Sequence, residues 1–181
     1  LSASAHKVHG PKGVSLLFKR KNVNLSPLLL GGGQEKGLRS GTEAVPLICG
    51  FYGAISEIGN IENRLSKQKD LFDYAYKKLL ELPFVKFNSS KEVLPYILNI
   101  SLPRYRSEVL QHYLESVNIF VSSGSACAKG ELSYVLREIG KDSVDIDGAL
   151  RLSFSKHTTK SDIDTLCLEL KNASEKLKKS K

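Results

Sequence analysis

The chain has 181 residues, of which 41% are hydrophobic and 25% are charged, so it can bury a core and is not a disordered segment. No apolar run approaches the roughly 20 residues that cross a bilayer. The net charge is +8, but residues 171–181 hold five lysines and one glutamate, and no stretch interleaves aromatic with basic residues as a base-reading surface does. We therefore expect one globular domain, with room for an appendage, that has no membrane segment and does not bind nucleic acid directly.

The first residues of the chain are rich in turn-forming types. Residues 2–13 predict a loop that leads into a strand over residues 14–19. Lys7 lies in this loop, next to His6. It is either a solvated loop lysine or a lysine that forms an imine with a carbonyl carbon, with hydroxyl and imidazole groups nearby for a phosphate. The chain contains no methionine, and its start resembles neither a signal peptide nor a natural N-terminus, so we expect it to begin within a longer protein.

A glycine-rich segment follows the apolar residues 28–30. Three successive glycines, residues 31–33, predict a tight loop, but the segment matches neither of the common phosphate-binding glycine motifs. Residues 39–42 then place a cation and two hydroxyl groups just before a predicted helix. This arrangement is typical of a surface that contacts an anion.

The rest of the chain alternates between helical and strand-like patterns. We predict one or two helices over residues 43–82, strands over residues 84–87, 96–102, 117–121 and 149–155, and helices over residues 107–116, 132–139 and from residue 160 onward. Gly140 is expected to cap a helix, and Thr159 with Asp162 has the spacing of a capping box. The order indicates an α/β fold with a small mixed sheet covered by helices. We expect residues 1–50 to end a larger domain, residues 51–82 to connect, and residues 83–181 to form a small C-terminal α/β domain.

Cys127 follows a run of small residues after the predicted strand over residues 117–121. A thiol on such a loop, near a helix start and Lys129, is favoured as an exposed, reactive thiolate. The alternative is a loop cysteine without a role. Arg151 alternates with apolar residues on a predicted strand, where it either extends to solvent or clamps a carboxylate with its two-pronged guanidinium.

The three cysteines, Cys49, Cys127 and Cys167, are widely spaced and form no CxxC pair. An odd number at such spacing favours free thiols in a reducing compartment, so we expect a cytoplasmic protein without a metal site. Cys49 and Cys167 follow apolar patterns and are expected to be small buried hydrophobic residues.

Together, these segments resemble the cysteine desulfurases of the NifS-like branch, which are pyridoxal-phosphate enzymes of the class V aminotransferase group with fold type I. The resemblance covers the whole chain, and four motifs in the same order make it specific. The matching motifs are Ser4-Ala5-His6-Lys7 with Gly10-Pro11-Lys12-Gly13, Gly31-Gly32-Gly33-Gln34-Glu35 with Arg39-Ser40-Gly41-Thr42, Ser122-Ser123-Gly124-Ser125-Ala126-Cys127, and Arg151-Leu152-Ser153 with Thr158-Thr159 and Asp162-Ile163-Asp164.

The resemblance implies a role for each candidate residue. Lys7 would hold pyridoxal 5'-phosphate as a Schiff base and then transfer protons, while Cys127 would attack the sulfur of L-cysteine to give alanine and an enzyme persulfide. Arg151 would bind the substrate carboxylate. Two further groups would bind the cofactor: Ser4 with His6 would contact its phosphate, and Thr42 would contact the phosphate of a neighbouring protomer's cofactor.

The resemblance also implies partners and a missing part. A homodimer would pass the sulfur to iron–sulfur scaffold proteins or to tRNA-thiolation enzymes. The first half of the family fold would lie upstream of Leu1, including an aspartate that pairs with the cofactor ring. The chain alone is therefore expected to hold the cofactor poorly and to be inactive. Two alternatives stay open, a selenocysteine lyase or other class V lyase and a domain that only docks to partners.

Overall fold

The computed structural model describes residues 1–123 and 133–178. The chain divides into two compact units, Leu1–Ile61 and Glu62–Lys181. The first unit contains strands β1 (Ser2–Ser4) and β2 (Ser15–Leu17), helix α1 (Val45–Ser56) and two short 3-10 turns, Ala5–Val8 and Gln34–Gly37. The second contains helices α2 (Ile61–Leu80), α3 (Ser107–Ser116), α4 (Tyr134–Glu138), α5 (Ser143–Asp147) and α6 (Lys160–Lys176), with strands β3 (Lys86–Phe87), β4 (Ile97–Ser101) and β5 (Ala149–Ser153).

The start of the first unit is a two-stranded antiparallel ribbon rather than the continuous loop that its small residues predict. β1 pairs with β2 in the register Ser4 with Ser15. The backbone N–H of Phe18 donates to the carbonyl of Leu1 at 2.8 Å, which closes the far end of the ribbon. The predicted strand over residues 14–19 is present as β2. The small residues of β1 adopt an extended conformation because hydrogen bonds to β2, rather than side-chain propensity, stabilise so short a strand.

The second unit is built around a three-stranded antiparallel sheet with the order β3-β4-β5. Successive side chains of a strand point to opposite faces, so each strand has a core face and an outer face. The core face of β4 and β5 is apolar, and its residues are at most 3% exposed: Leu98, Ile100, Leu150 and Leu152. They belong to one hydrophobic cluster with buried residues of α2, α3 and α6, among them Phe72, Leu114 and Leu170. The other face carries the half-buried Asn99 and Arg151 and the fully buried Ser101, so the sheet has one apolar and one largely polar face.

The α/β prediction is confirmed, with three differences inside the second unit. The described sheet is antiparallel at both of its pairings, whereas a mixed sheet was expected. The predicted strand over residues 117–121 is wrong, because α3 ends in a tight turn there: Asn118 has a φ of 61° and the Ile119 N–H donates to the Leu114 carbonyl at 2.9 Å. Helix α5 was not predicted. It is one short turn, begun by the Asp142 side chain, which accepts from the Asp145 N–H.

Two helix-end signals in the sequence are confirmed. Gly140 follows α4 with a φ of 82°, and Lys141 N–H donates back to the Leu136 carbonyl at 3.0 Å, a hydrogen bond typical of a glycine-terminated helix. Thr159 and Asp162 form a reciprocal capping box at the start of α6. Both signals are local, which is why they can be read without knowledge of the fold.

We expect Thr159→Ala to lower the free energy of unfolding by about 1 kcal/mol, as is typical for loss of a helix cap. The Thr159 hydroxyl accepts from the Asp162 N–H at 3.2 Å and donates to the Asp162 carboxylate at 2.9 Å. The backbone N–H of Thr159 and, second, its hydroxyl lower the pKa of Asp162. Since these bonds favour the ionised carboxylate, their contribution is present above the unfolded-state pKa and is lost as pH falls through the lowered pKa.

Chemical denaturation at neutral and at acidic pH measures this effect. The control is Thr165→Ala, which removes an exposed hydroxyl of the same helix that donates to the Ser161 carbonyl. We expect the control to change stability by less than about 0.5 kcal/mol. Equal losses in the two variants would show that the cap does not stabilise α6.

Candidate functional site

Lys7 lies on the 3-10 turn Ala5–Val8, which is anchored by its first residue. Ala5 is fully buried, its N–H donates to the Val14 carbonyl at 3.1 Å, and its carbonyl accepts from the Gly10 N–H at 2.9 Å. The side chain of Lys7 is exposed. The turn therefore has a fixed backbone and presents the lysine amine outward.

Close packing around the turn explains why two positions, Gly10 and Gly50, have no side chain. A Cβ atom at Gly10 would lie 3.0 Å from the Cβ of Ala5, and one at Gly50 of α1 would lie 3.0 Å from Cγ of Pro11. The turn and the segment after it are thus backed by the first strand and by α1. Among the residues that the structure describes, Lys7 Nζ has no hydrogen bond and no ion pair. Its amine is free to react.

The groups next to Lys7 fit a phosphorylated aldehyde. Ser4, half-buried at the N-cap of the turn, and His6, exposed within it, are near Lys7 in the sequence and supply a hydroxyl and an imidazole. A primary amine is the group that forms an imine with an aldehyde, and hydroxyl and imidazole groups donate hydrogen bonds to phosphate oxygens. This donor set is suited to pyridoxal phosphate. The assignment of Ser4, His6 and Lys7 to the cofactor stays a prediction.

The glycine-rich segment is a tight loop, as predicted, and is fixed by Ser40. The Ser40 hydroxyl lies 3.1 Å from the carbonyl oxygens of both Leu29 and Leu30, and its N–H donates to Leu29 at 3.3 Å. Gly31 has a φ of 152°, and a Cβ there would lie 3.1 Å from the Cβ of Ser40. Thr42 follows this crossing with an exposed side chain, in the short segment before α1. Its contact with a second protomer's cofactor stays a prediction.

Arg151 lies on β5 and is joined to Ser122 by both backbone and side chain. The Arg151 N–H donates to the Ser122 carbonyl at 2.7 Å, the Ser122 N–H donates back at 3.3 Å, and the guanidinium Nη2 donates to the Ser122 hydroxyl at 3.3 Å. The Nε atom of Arg151 is buried and has no hydrogen-bond partner in the part of the chain that the structure describes. A buried N–H donor without a partner costs folding free energy, so this guanidinium is well suited to donate hydrogen bonds to an anionic ligand.

The three cysteines differ from one another. Cys127 lies outside the described residues, although Ser122, at the base of its segment, is bonded to Arg151 as above. Cys49 is exposed, so the prediction that it is buried is wrong, because α1 turns this position away from the residues it packs on. Cys167 on α6 is half-buried, and burial, followed by the charge of Asp164, raises the pKa of its thiol to about 11.

The structure brings some of the predicted residues together and leaves others in separate units. His6 and Lys7 share one turn, which Ser4 precedes, and Thr42 belongs to the same unit; Arg151 belongs to the second unit. The sequence reasoning missed Asn99, which lies directly opposite Arg151 in the sheet. The sequence does contain a signal for Asn99, because it is the polar position between Leu98 and Ile100 in a strand that was predicted from its apolar residues.

Comparisons with known proteins bear on these residues as a set. The family model described as Aminotransferase class-V matches residues 1–166. The chain belongs to this family. It is 38% identical over 169 residues to a cysteine desulfurase of Nostoc sp. (strain PCC 7120 / SAG 25.82 / UTEX 2576), a match that covers 91% of the chain and 42% of the relative. The chain therefore spans less than half the length of the curated relatives it matches.

Solved structures give the same result for the fold. A NifS-like protein superposes with a TM-score of 0.85 at 34% identity, covering 97% of this chain and 46% of that one. SspA in complex with cysteine superposes with a TM-score of 0.63 at 29% identity, covering 87% of this chain and 44% of that one. The resemblance to NifS-like cysteine desulfurases and the expected fold are confirmed for the length that the chain covers.

Within residues 1–123 and 133–178 the structure has neither a membrane-spanning helix nor a cluster of metal-ligating side chains. None of their helices is both long and apolar enough to cross a membrane. No group of three or more His, Cys, Asp or Glu side chains among them could hold a metal ion. Some of the similar desulfurases carry "mitosomal" or "mitochondrial" in their names, so the comparisons do not select the cytoplasm.

We expect Cys167 to react about 100-fold more slowly with a thiol reagent at pH 8 in the folded chain than in the unfolded chain. A pKa of about 11 leaves little thiolate at pH 8, whereas an unperturbed cysteine has a pKa of about 8.5. The measurement uses Cys49→Ser/Cys127→Ser, which keeps Cys167 alone, with and without guanidinium chloride. The matched variant Cys127→Ser/Cys167→Ser keeps the exposed Cys49 and should lose much less reactivity on folding. Equal rates for Cys167 in both states would contradict the burial of its thiol.

Proposed function

We propose that this chain is part of a pyridoxal-phosphate-dependent cysteine desulfurase, which converts L-cysteine to L-alanine and leaves the sulfur on the enzyme as a persulfide. Membership of the class V family and the names of its relatives support this activity. The structural observation that carries the proposal is the double hydrogen bond between Ser122 and Arg151. It fixes the base of the Cys127 segment to the residue best suited to bind a substrate carboxylate.

Arg151 binds the carboxylate of L-cysteine in this proposal. The guanidinium is planar and always charged, so it pairs with a carboxylate through two parallel hydrogen bonds and holds the amino acid in one orientation. One Nη already contacts the Ser122 hydroxyl, and Nε is buried without a partner among the described residues. The solved complex of SspA with cysteine shows that a protein similar in fold binds this amino acid.

Lys7 holds the cofactor and moves the proton in this proposal. Pyridoxal phosphate, when bound, supplies an electron sink for the bonds at the substrate's α-carbon. Lys7 would hold the cofactor through its amine and would accept and return protons as a general base and acid. Ser4 and His6 would hold the cofactor phosphate. The buried Ala5 keeps this turn in place.

Cys127 receives the sulfur in this proposal. Its thiolate attacks the sulfur of the bound cysteine, so that a sulfur–sulfur bond forms while the carbon–sulfur bond breaks. The electron pair of the broken bond stays with the carbon, which takes up a proton and becomes the methyl group of alanine. A run of small residues before Cys127 suits a thiol that collects sulfur in one place and delivers it in another.

Several finer features belong to the same proposal. We infer that the active enzyme is a homodimer, that Thr42 contacts the cofactor phosphate of the second protomer, and that the sulfur passes to an iron–sulfur scaffold or a tRNA-thiolation enzyme. Residues 1–50 would end the large domain, 51–82 would connect, and 83–181 would form the small domain. A reducing compartment such as the cytoplasm suits the free thiols of Cys49 and Cys167.

The test is the release of alanine and sulfide from L-cysteine in the presence of pyridoxal phosphate and a thiol reductant. The 181-residue chain is assayed beside any longer natural polypeptide that contains it. We expect turnover in the longer form only, since the chain spans 42% of its relative's length. In that form Cys127→Ala should lower turnover on the order of 10³-fold or more, as for other essential nucleophiles.

Matched controls separate this proposal from its alternatives. Cys49→Ala and Cys167→Ala should retain turnover, because neither thiol takes part. A selenocysteine lyase that does not need a thiol would keep its activity towards selenocysteine in Cys127→Ala. A docking domain would show no turnover in any form. Wild-type turnover of L-cysteine by Cys127→Ala would overturn the persulfide mechanism.

A further inference from the structure

Four polar residues form a row across the outer face of the sheet in the second unit. Asn99 on β4 lies opposite Arg151 on β5, and Arg151 is bridged on its other side to Ser122. Asn88 follows β3, and its N–H donates to the Asn99 carbonyl at 2.9 Å, so it extends the row beyond β4. In order across the face, the row is Asn88, Asn99, Arg151 and Ser122. We refer to these four residues as the polar row.

The backbone pattern brings the side chains of Asn99 and Arg151 close together. In an antiparallel sheet the N–H and carbonyl of one residue point to the same side of its strand. Both groups of Arg151 bond to Ser122, and the carbonyl of Asn99 bonds to Asn88 and Ser89. Asn99 and Arg151 therefore face each other as a pair without mutual backbone hydrogen bonds. This is the closer kind of cross-strand pair, with Cα atoms about 4.5 Å apart.

A chain of hydrogen bonds sets which way the Asn99 amide is turned. The Ser101 hydroxyl has one proton to donate. Its oxygen lies 2.5 Å from the Asp145 carbonyl oxygen, which can only accept, so the proton is used in this hydrogen bond. Ser101 must then accept from Asn88, whose Nδ2 lies 2.6 Å away. The same Nδ2 lies 2.7 Å from Asn99, so the Asn99 atom facing it must be the oxygen Oδ1.

This orientation leaves one unused donor on each of two residues that are paired across the sheet. The Nδ2 group of Asn99 is turned away from Asn88, and it has no hydrogen bond to any residue in the described ranges. The Nε of Arg151 is buried and also lacks a partner there. Two N–H donors from cross-strand neighbours on one sheet face, one of them charged, are suited to an anion with two acceptor oxygens.

We propose that Asn99 is a second carboxylate-binding residue, which donates from Nδ2 to one oxygen of an amino-acid carboxylate while Arg151 binds the other. Asn88 is its positioning residue, because it holds the Asn99 oxygen and so turns the donor outward. The inference rests on the proposed function for the identity of the ligand, a free α-amino acid. It assigns to the sheet a selectivity for ligands that carry a carboxylate over amines that lack one.

The test is a titration of the 181-residue chain followed by nuclear magnetic resonance of its side-chain N–H groups. L-alanine is the probe, and ethylamine is the same molecule without the carboxylate. We expect the Asn99 Nδ2 and Arg151 Nε signals to shift with L-alanine and to stay unchanged with ethylamine. Asn99→Ala should weaken L-alanine binding about 10-fold, as for loss of one hydrogen bond to a charged group. Asn99→Asp should weaken it more, because it places a negative charge against the carboxylate.

Further variants separate a binding role from a structural one. Asn88→Ala should weaken L-alanine binding and shift the Asn99 amide signal before any ligand is added, since it releases the amide. Ser153→Ala, on the same strand but outside the polar row, should change neither. Each variant's backbone spectrum reports whether it is folded, and a folded Asn99→Ala with unchanged affinity would overturn the proposal.

The result also distinguishes this inference from the proposed function. If Arg151 Nε responds to L-alanine but Asn99 does not, Asn99 has no binding role and the role of Arg151 stands. If neither signal responds while the longer form still desulfurates L-cysteine, the carboxylate site proposed on this face is wrong and the activity stands. If Arg151→Gln binds L-alanine as tightly as the wild-type chain does, the carboxylate role of Arg151 fails as well.

Discussion

The pairing of β4 with β5 is the interaction on which the second unit depends. Its register decides which side chains enter the core, because residues of a strand alternate between the two faces. With Asn99 opposite Arg151, four leucine and isoleucine side chains are buried on one face and the polar row lies on the other. A slip of one residue would place Arg151 in the hydrophobic core. The same pairing therefore determines both the packing of α2, α3 and α6 and the exposure of the candidate carboxylate site.

The first unit contains a short turn, Ala5–Val8, on which Lys7 lies. A 3-10 turn of four residues has little stability of its own, since its hydrogen bonds are few and poorly aligned. Here the buried Ala5 and the close approach of Gly10 supply the stability that the turn lacks. Small residues are needed for packing at these two positions, whereas the neighbouring side chains of His6 and Lys7 are exposed.

Much of the fold could be predicted from the sequence, because its strongest signals are local. The capping box at Thr159 and the glycine after α4 depend on residues a few positions apart, and both are present. The prediction of a strand over residues 117–121 was wrong because apolar, β-branched residues also occur where the chain turns back at the end of a helix. The prediction that Cys49 is buried was wrong because an apolar neighbourhood in the sequence does not specify which side of α1 is covered. The orientation of Asn99 was beyond sequence reasoning, since it depends on Asn88, Ser101 and the carbonyl of Asp145.

The bridge between Ser122 and Arg151 has a consequence for how the protein avoids misassociation. β5 is the last strand of the described sheet on that side, and an open strand edge offers unpaired N–H and carbonyl groups to any other extended chain. The central outward-facing residue of this edge already has both groups bonded to Ser122, and it carries a positive charge. An incoming strand would have to displace a native partner and bury an arginine. The contact between Ser122 and Arg151 thus also protects the protein against aggregation through this edge.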